Sequence, residues 1–471
     1  MKGLNKIFLI FALTLCLVFP GLMPLSASGE DETPEISEEA SDLSLEISGF
    51  IENENIISTY TSQEPADINK KNEIRNNLKI RYGGERYYLR IVTNQYIIPP
   101  GFNEEYKYSD GFDAGRNGRI SGDFYEINPR ELYFNASFEN LRFRAGNQVY
   151  GWGTADVFNP TSYFNSYDFR ELVFKDDDEQ KNGVPSLSAM FFISDYTLEL
   201  VYVPVHVPAR FAAAGNFWEV RYMEGPFPVY VSDGGEMEVS LENSGCGARF
   251  GGTFFGIDAS ISGYHGPDRD PLLRPERTVL IPNEPVSIEV KPEYYNVTYI
   301  GADISMKFEK VTLQGELSFS PDKTAVIPQP YTIDMELPFA ITETKALSYA
   351  AGFNYYIPLS RILEGHEGTT VFTVEWMQTV YYKHGLMKPF VTDLITGRIQ
   401  DEFISGRLKP SVTILYDTAE KGAAVMPEIV WDFQNGFSFE VSYCYITGDD
   451  GSVIGYFKNN DFASVRGRYE F

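Results

Sequence analysis

The chain has 471 residues, of which 15% are aromatic, and it carries 39 Lys+Arg against 66 Asp+Glu. A net charge of −27 repels phosphate backbones and so argues against nucleic acid as a partner. The 31 Tyr and 35 Phe, at 43% overall hydrophobic content, suit a chain in which alternate residues meet lipid and aromatic girdles flank an apolar band.

In chain order, residues 1–27 read as a secretory signal peptide. Lys2 and Lys6 make a short positive region. Residues 7–20 are apolar but too short to span a bilayer, and Ser26, Ala27 and Ser28 offer small residues for cleavage. Cys16 follows Leu15, where a lipoprotein signal wants a small residue, so lipidation is the lesser reading. No second long apolar segment follows. The exported chain is therefore either soluble or a membrane β-barrel, the one non-helical structure that satisfies every backbone group in lipid. Residues 28–42 include seven Asp or Glu without alternation and read as a disordered acidic tether. Only Cys246 and Cys444 survive cleavage; they fall in separate strand candidates and read as incidental core residues rather than a disulfide.

From Leu43 onward, period-two segments recur to the end, and residues 43–471 are expected to form the barrel. Leu43, Leu45 and Ile47 open the first strand. Leu78, Ile80 and Tyr82 alternate with Lys79 and Arg81, turn at Gly83-Gly84, and return through Tyr87, Leu89 and Ile91. Further hairpins are predicted for 130–138 with 141–149, 186–194 with 196–204, 244–254 with 257–265, and 297–308 with 311–319. Long polar segments (99–129, 150–185, 205–243, 266–296 and 320–344) separate them. Tight turns thus alternate with long loops, the asymmetry of short periplasmic turns and long extracellular loops in bacterial outer-membrane barrels. Strands at 345–356, 369–382, 404–416, 424–434, 437–447 and 461–471 bring the count to seventeen. Two periplasmic termini require an even number, so an error is expected between 383 and 447. The predicted fold is all-β: a single transmembrane antiparallel up-and-down barrel of about sixteen strands, with no helix beyond loop decoration. Its last strand puts Phe471, Tyr469, Val465 and Ala463 on one face, and Tyr469 and Phe471 are the expected signal for the barrel assembly machinery.

Residues that alternate with the lipid-facing set are expected to line the lumen. The candidates are Lys79, Arg81, Arg90, Arg142 and Arg144 on one side, and Glu199, Glu316, Glu375 and Glu440 later in the chain. They either set a transverse field that selects ions or pair across the lumen. Of the four histidines, His206, His265, His366 and His384, none has a Ser or Cys partner at a recognisable spacing. No nucleotide or zinc motif appears. The chain is read as a non-enzyme without cofactor or metal. Asp176, Asp177, Asp178 and Glu179, and Asp449 with Asp450, are read as solvated acidic loops rather than Ca²⁺ sites.

The densest segment, 146–174, contains Asn147, Gln148, Trp152, Gly153, Asn159, Pro160, Asp168, Arg170 and Glu171. Asp168 and Arg170 are placed to pair locally, and the segment either folds into the barrel or forms an ordered outer loop. Here the chain resembles a Gram-negative outer-membrane family catalogued as a domain of unknown function, with a Gly-Arg-Gln…Trp-Gly motif followed by Asn-Pro…Asp-Leu-Arg. Asn147 stands where the family has Arg, and Phe169 where it has Leu. The similarity continues through Gly49-Phe50, Tyr264-His265-Gly266 with Asp268, Gly301 with Asp303, Gly315-Glu316, Gly448 with Gly451, and Gly455 to Asp461. The resemblance implies a channel or transport barrel in outer-membrane lipid. It also implies an inner-membrane resistance-nodulation-division exporter and a periplasmic carrier as partners, and a hydrophobic or lipid-like compound as cargo. A general diffusion porin with ionic selectivity is the alternative.

Overall fold

A computed structural model describes residues 43–59, 68–99, 113–114, 116–172, 174, 180–212, 217–218, 229–231, 236–279, 287–328, 339–359, 366, 368–383, 388–449, 452 and 454–471. The signal peptide, the tether, the Asp176 to Glu179 run, His384 and Asp450 lie outside them.

Eighteen antiparallel strands close into a barrel, and two short strands, Asp113–Ala114 and Ile120–Gly122, are appended to the same sheet. The eighteen are β1 (Ser44–Ser58), β2 (Asn69–Gly83), β3 (Tyr87–Ile97), β4 (Tyr125–Ser137), β5 (Leu141–Gln148) and β6 (Val184–Ile193). Next come β7 (Tyr196–Val203), β8 (Gly245–Phe254), β9 (Ile257–Pro267), β10 (Asn296–Phe308), β11 (Val311–Pro328) and β12 (Phe339–Ile357). The last are β13 (Thr370–Tyr382), β14 (Phe390–Gln400), β15 (Leu408–Asp417), β16 (Gly422–Asp432), β17 (Phe437–Gly448) and β18 (Phe462–Glu470). Each strand pairs with the next in sequence, and β18 closes on β1 from Glu470 opposite Phe50 to Phe462 opposite Ser58. Closure leaves no unpaired barrel edge, as a sheet in lipid requires.

The alternation that marks these strands in sequence decides their faces. Leu45, Tyr82, Tyr87, Phe134, Ile261, Ile300, Leu317 and Phe437 stand exposed on the convex side, and their neighbours turn inward. Two-residue turns close at Ser194-Asp195, Phe255-Gly256 and Glu309-Lys310. Ser194, Phe255, Glu309 and Gly256 all have positive φ, the conformation that matches the twist of the flanking strands.

The even count corrects the seventeen strands read from sequence. The missing one is β14, whose outward row Val391, Asp393, Ile395, Gly397 and Ile399 is broken by a carboxylate and a glycine. Its inward row carries Phe390 and Leu394, so neither face is cleanly apolar. Two predicted loops also shorten. Strand β11 runs on to Pro328 across a bulge between Ser320 and Lys323, and β12 begins at Phe339. The polar, Pro-bearing run from Ser320 to Pro328 hid that extension. The segment predicted as loop 266–296 contains a hairpin, Leu272–Val279 with Ser287–Glu293, joined in parallel by Val229–Val231.

Both chain ends of the barrel lie on one rim, with the tight turns of the first eleven strands. The asymmetry fades in the C-terminal half. There the terminal rim carries the connection 358–369, while β15 and β16 are joined at the opposite rim by residues 418–421 alone.

Candidate functional site

The segment after β5 folds into the barrel instead of leaving it, and carboxylates on three strands hold it there. Glu199 of β7 accepts the Trp152 indole N–H at 2.7 Å. On β11, Glu316 accepts the backbone N–H groups of Thr154 and Ala155 on Oε1, both at 2.7 Å. Its Oε2 takes the N–H of Thr161 at 3.1 Å and the Thr161 hydroxyl at 2.7 Å. Glu375 of β13 accepts the N–H groups of Asp156 at 2.8 Å, Val157 at 3.2 Å and Phe158. Five consecutive backbone donors, 154–158, thus face two carboxylates from strands far apart in sequence. Buried backbone groups must find partners, and charge-assisted bonds are the strong ones. Gln314 Nε2 donates to the Thr154 carbonyl at 2.5 Å, and Asn354 Nδ2 to Asp156 Oδ2 at 2.9 Å.

Aromatic packing fixes the same segment. Trp152 is 2% exposed and meets Tyr163 and Phe164 edge-on. Tyr163 stacks on Tyr299 and Tyr264 of the wall, with ring centroids 5.1 and 5.7 Å apart. Gly153 has φ +100°, and a Cβ there would collide with Asn159 and Glu316, so the Trp-Gly pair has a steric reason. Arg269 donates to the carbonyls of Asn159 and Ser162, tying down the turn that contains Pro160.

The segment ends in a charge cluster. Asp168 and Arg170 pair at 2.6 Å, as their spacing suggested, and both meet partners from further elements. Glu126 of β4 binds Arg170 at 3.2 Å and Arg210 at 2.6 Å, and Arg210 reaches Asp168 at 3.4 Å. Glu171 bonds Lys71 of β2 at 2.8 Å, and Lys71 also binds Glu54 and Glu73. Phe169 stacks on Phe211. Asn147 lies outside the cluster, and its amide donates to the carbonyls of Asn117 and Pro129, each at 2.7 Å. Glu126 and Arg210 fall in stretches the sequence marks as loops, and no alternation flagged them.

The basic candidates sit together near the terminal rim. Arg81 lies opposite Arg90 on β3, binds Glu46 at 3.2 Å and covers the Tyr88 ring. Arg90 binds Glu131 at 2.6 Å. Arg144 covers Tyr133 and donates to Asn135, and Arg142 covers Phe192. On the adjoining wall, on the other side of β1, Glu440 pairs with Arg466 at 3.6 Å. It helps line a recess of about 410 Å³ where Lys409, Arg466 and Arg468 face Asp432, Glu440 and Glu470, three charges of each sign. The described histidines bond elsewhere: His265 to Thr298 and His366 to Asp401, while His206 packs on Tyr294. Both described cysteines are free, Cys246 exposed and Cys444 buried.

The model of a family described as a protein of unknown function, DUF1302, matches residues 59–388. The chain belongs to that family. The match takes in the inserted segment and all three of its carboxylate anchors; the resembling motifs at 45–50 and beyond 448 lie outside it. No curated protein matches the chain. Among solved structures, OccAB1 of Acinetobacter baumannii is similar with a TM-score of 0.50 and 10% identity, over 91% of this chain and 96% of that one. OccAB3 of the same organism is similar with a TM-score of 0.49 and 10% identity, over 91% and 99% of the two chains. A BenF-like porin from Pseudomonas fluorescens Pf-5 gives 0.48 and 10%, over 92% and 98%. At that identity, the OccAB1 likeness shows a common barrel fold.

Proposed function

We propose that the protein is an outer-membrane channel for small polar solutes, narrowed by residues 150–172 held across its interior. The observation that carries this reading is the seating of five consecutive backbone N–H groups on Glu316 and Glu375. A strand-borne carboxylate facing the interior is costly unless it has donors, and here the inserted segment supplies them. One apolar cluster inside the barrel, with Trp152, Tyr163, Phe164 and Tyr264, is consumed in packing that segment against the wall. A hydrophobic or lipid-like cargo, and association with an inner-membrane exporter and a periplasmic carrier, are supported by the family resemblance alone; co-purification after crosslinking tests the partners.

The channel is tested in planar bilayers. Wild-type protein is expected to give small, stable conductance steps. Glu316→Ala/Glu375→Ala is expected to give larger, noisier ones because the segment loses its seat. Wild-type barrels that keep heat-modifiable gel mobility yet pass no current would overturn the reading.

A further inference from the structure

We infer that the terminal-rim half of the β2–β5 wall is a selectivity strip that draws small carboxylate-bearing solutes through the barrel. The inference rests on the channel reading and names its substrate class.

The strip is continuous across four strands. Lys79 and Arg81 lie on β2, and Arg81 faces Arg90 on β3. Arg90 lies opposite Tyr133 of β4, whose Asn135 and Ser137 lie opposite Arg144 and Arg142 of β5. These five cations meet only two carboxylates, Glu46 on Arg81 and Glu131 on Arg90. Among the described residues, Lys79, Arg142 and Arg144 have no carboxylate within 4 Å; Glu199, bonded to Trp152, lies within electrostatic range of Arg142 and Arg144 without bonding either, so five half-buried cations stand against three carboxylates.

The rest of the interior does not share this imbalance. Arg75 and Arg468 are bound by Glu52, Lys71 by three carboxylates, and Arg170 and Arg210 by Glu126 and Asp168. The neighbouring recess on β15–β18 balances three cations with three anions. Glu316 and Glu375, which lack cationic partners, are covered by the inserted segment's N–H groups.

The chemistry of the strip selects its ligand. Arg81, Arg142 and Arg144 lie over the rings of Tyr88, Phe192 and Tyr133, with guanidinium-to-centroid distances of 4.4, 5.3 and 5.1 Å. At Arg142 and Arg144 the ring holds the flat face of the guanidinium and leaves its terminal N–H groups for a planar, bidentate acceptor, which a carboxylate is and a hydrated halide is not, whereas the Arg81 N–H groups already serve Glu46 and the Gly84 carbonyl. Aromatic supports beside each fork also accept an apolar body on the same solute.

The test is a reversal-potential measurement with wild-type protein in planar bilayers, under gradients of potassium chloride and then potassium benzoate. A cation about 4 Å from a transiting anion favours it by about fivefold in a water-like medium. Anion preference in chloride, and a larger one in benzoate, is the expected result. Arg142→Gln/Arg144→Gln should lose most of it, Lys79→Gln should lose a smaller share, and Arg142→Lys/Arg144→Lys should keep the chloride preference but not the gain with benzoate. Steady conductance with cation preference would overturn the strip and leave the channel standing. No conductance from folded barrels would overturn both. If the double Gln variant fails to fold, Lys79→Gln and the Lys double decide the question.

Discussion

Gly153 shows how much one residue carries. It combines φ +100° with atoms of Asn159 and Glu316 where a side chain would begin. Gly153→Ala is expected to cost about 1–3 kcal/mol of seating, since a non-glycine residue there is both strained and obstructed. The variant should show faster proteolysis after Trp152 and larger conductance steps; an unchanged channel would mean that the turn tolerates the Cβ. His206 carries a pH dependence. Burial, with Arg116 nearby, holds its pKa down to about 3 from 6.5, so the ring stays neutral in the fold and takes a proton only on unfolding. Stability therefore holds above about pH 6.5 and falls as pH drops toward 3, by roughly 1.4 kcal/mol per pH unit from this group. His206→Phe keeps a ring against Tyr294 and should flatten that slope, read as the difference in the heat-modifiability midpoint between pH 7 and pH 5. Identical slopes in the two proteins would contradict it.

At the scale of elements, the inserted segment and β14 were the hardest to read, for different reasons. The segment has no period because its residues are spent on bonds to the wall. Trp152, Gly153, Asn159, Asp168 and Arg170 stood out by composition, but their partners Glu199, Glu316 and Glu126 lie tens to hundreds of residues away. Strand β14 has a period, but Asp393 interrupts its outward face. There Asp393 accepts the Trp376 indole N–H at 2.7 Å and the Gln378 amide at 3.0 Å, a pairing across strands that makes a carboxylate tolerable on the outer wall. Asp393→Ala should therefore destabilise the barrel by about 1–3 kcal/mol, because it leaves two donors unpaired on the outer wall. A lower urea midpoint for the loss of the compact gel form is the check. No change would show that water already serves those donors.

For the whole molecule, the seam between β1 and β18 decides whether there is a barrel. Nine residue pairs join them, and Phe471 exchanges backbone bonds of 3.0 Å with Gly49 beyond the strand end. Deleting residues 462–471 exposes the full edge of β1 and should abolish the heat-modifiable form. Deleting Phe471 alone removes only the last rung, so it should weaken assembly more than the stability of barrels already formed; equal losses in both would contradict that order. Most strands were legible from residues such as Leu78, Ile80 and Tyr82 set against Lys79 and Arg81, because a sheet with lipid on one side imposes period two on every strand. Their number was not, since one mixed strand is enough to turn eighteen into seventeen. The sequence by itself determined the all-β architecture and the period-two sorting of side chains between two faces, as alternation is a local property. Only the tertiary structure decided which charges are spent. Glu199, Glu316 and Glu375 are bonded by the segment that crosses the interior, whereas Lys79, Arg142 and Arg144 form no contact ion pair among the described residues, because pairing depends on residues brought together from distant strands.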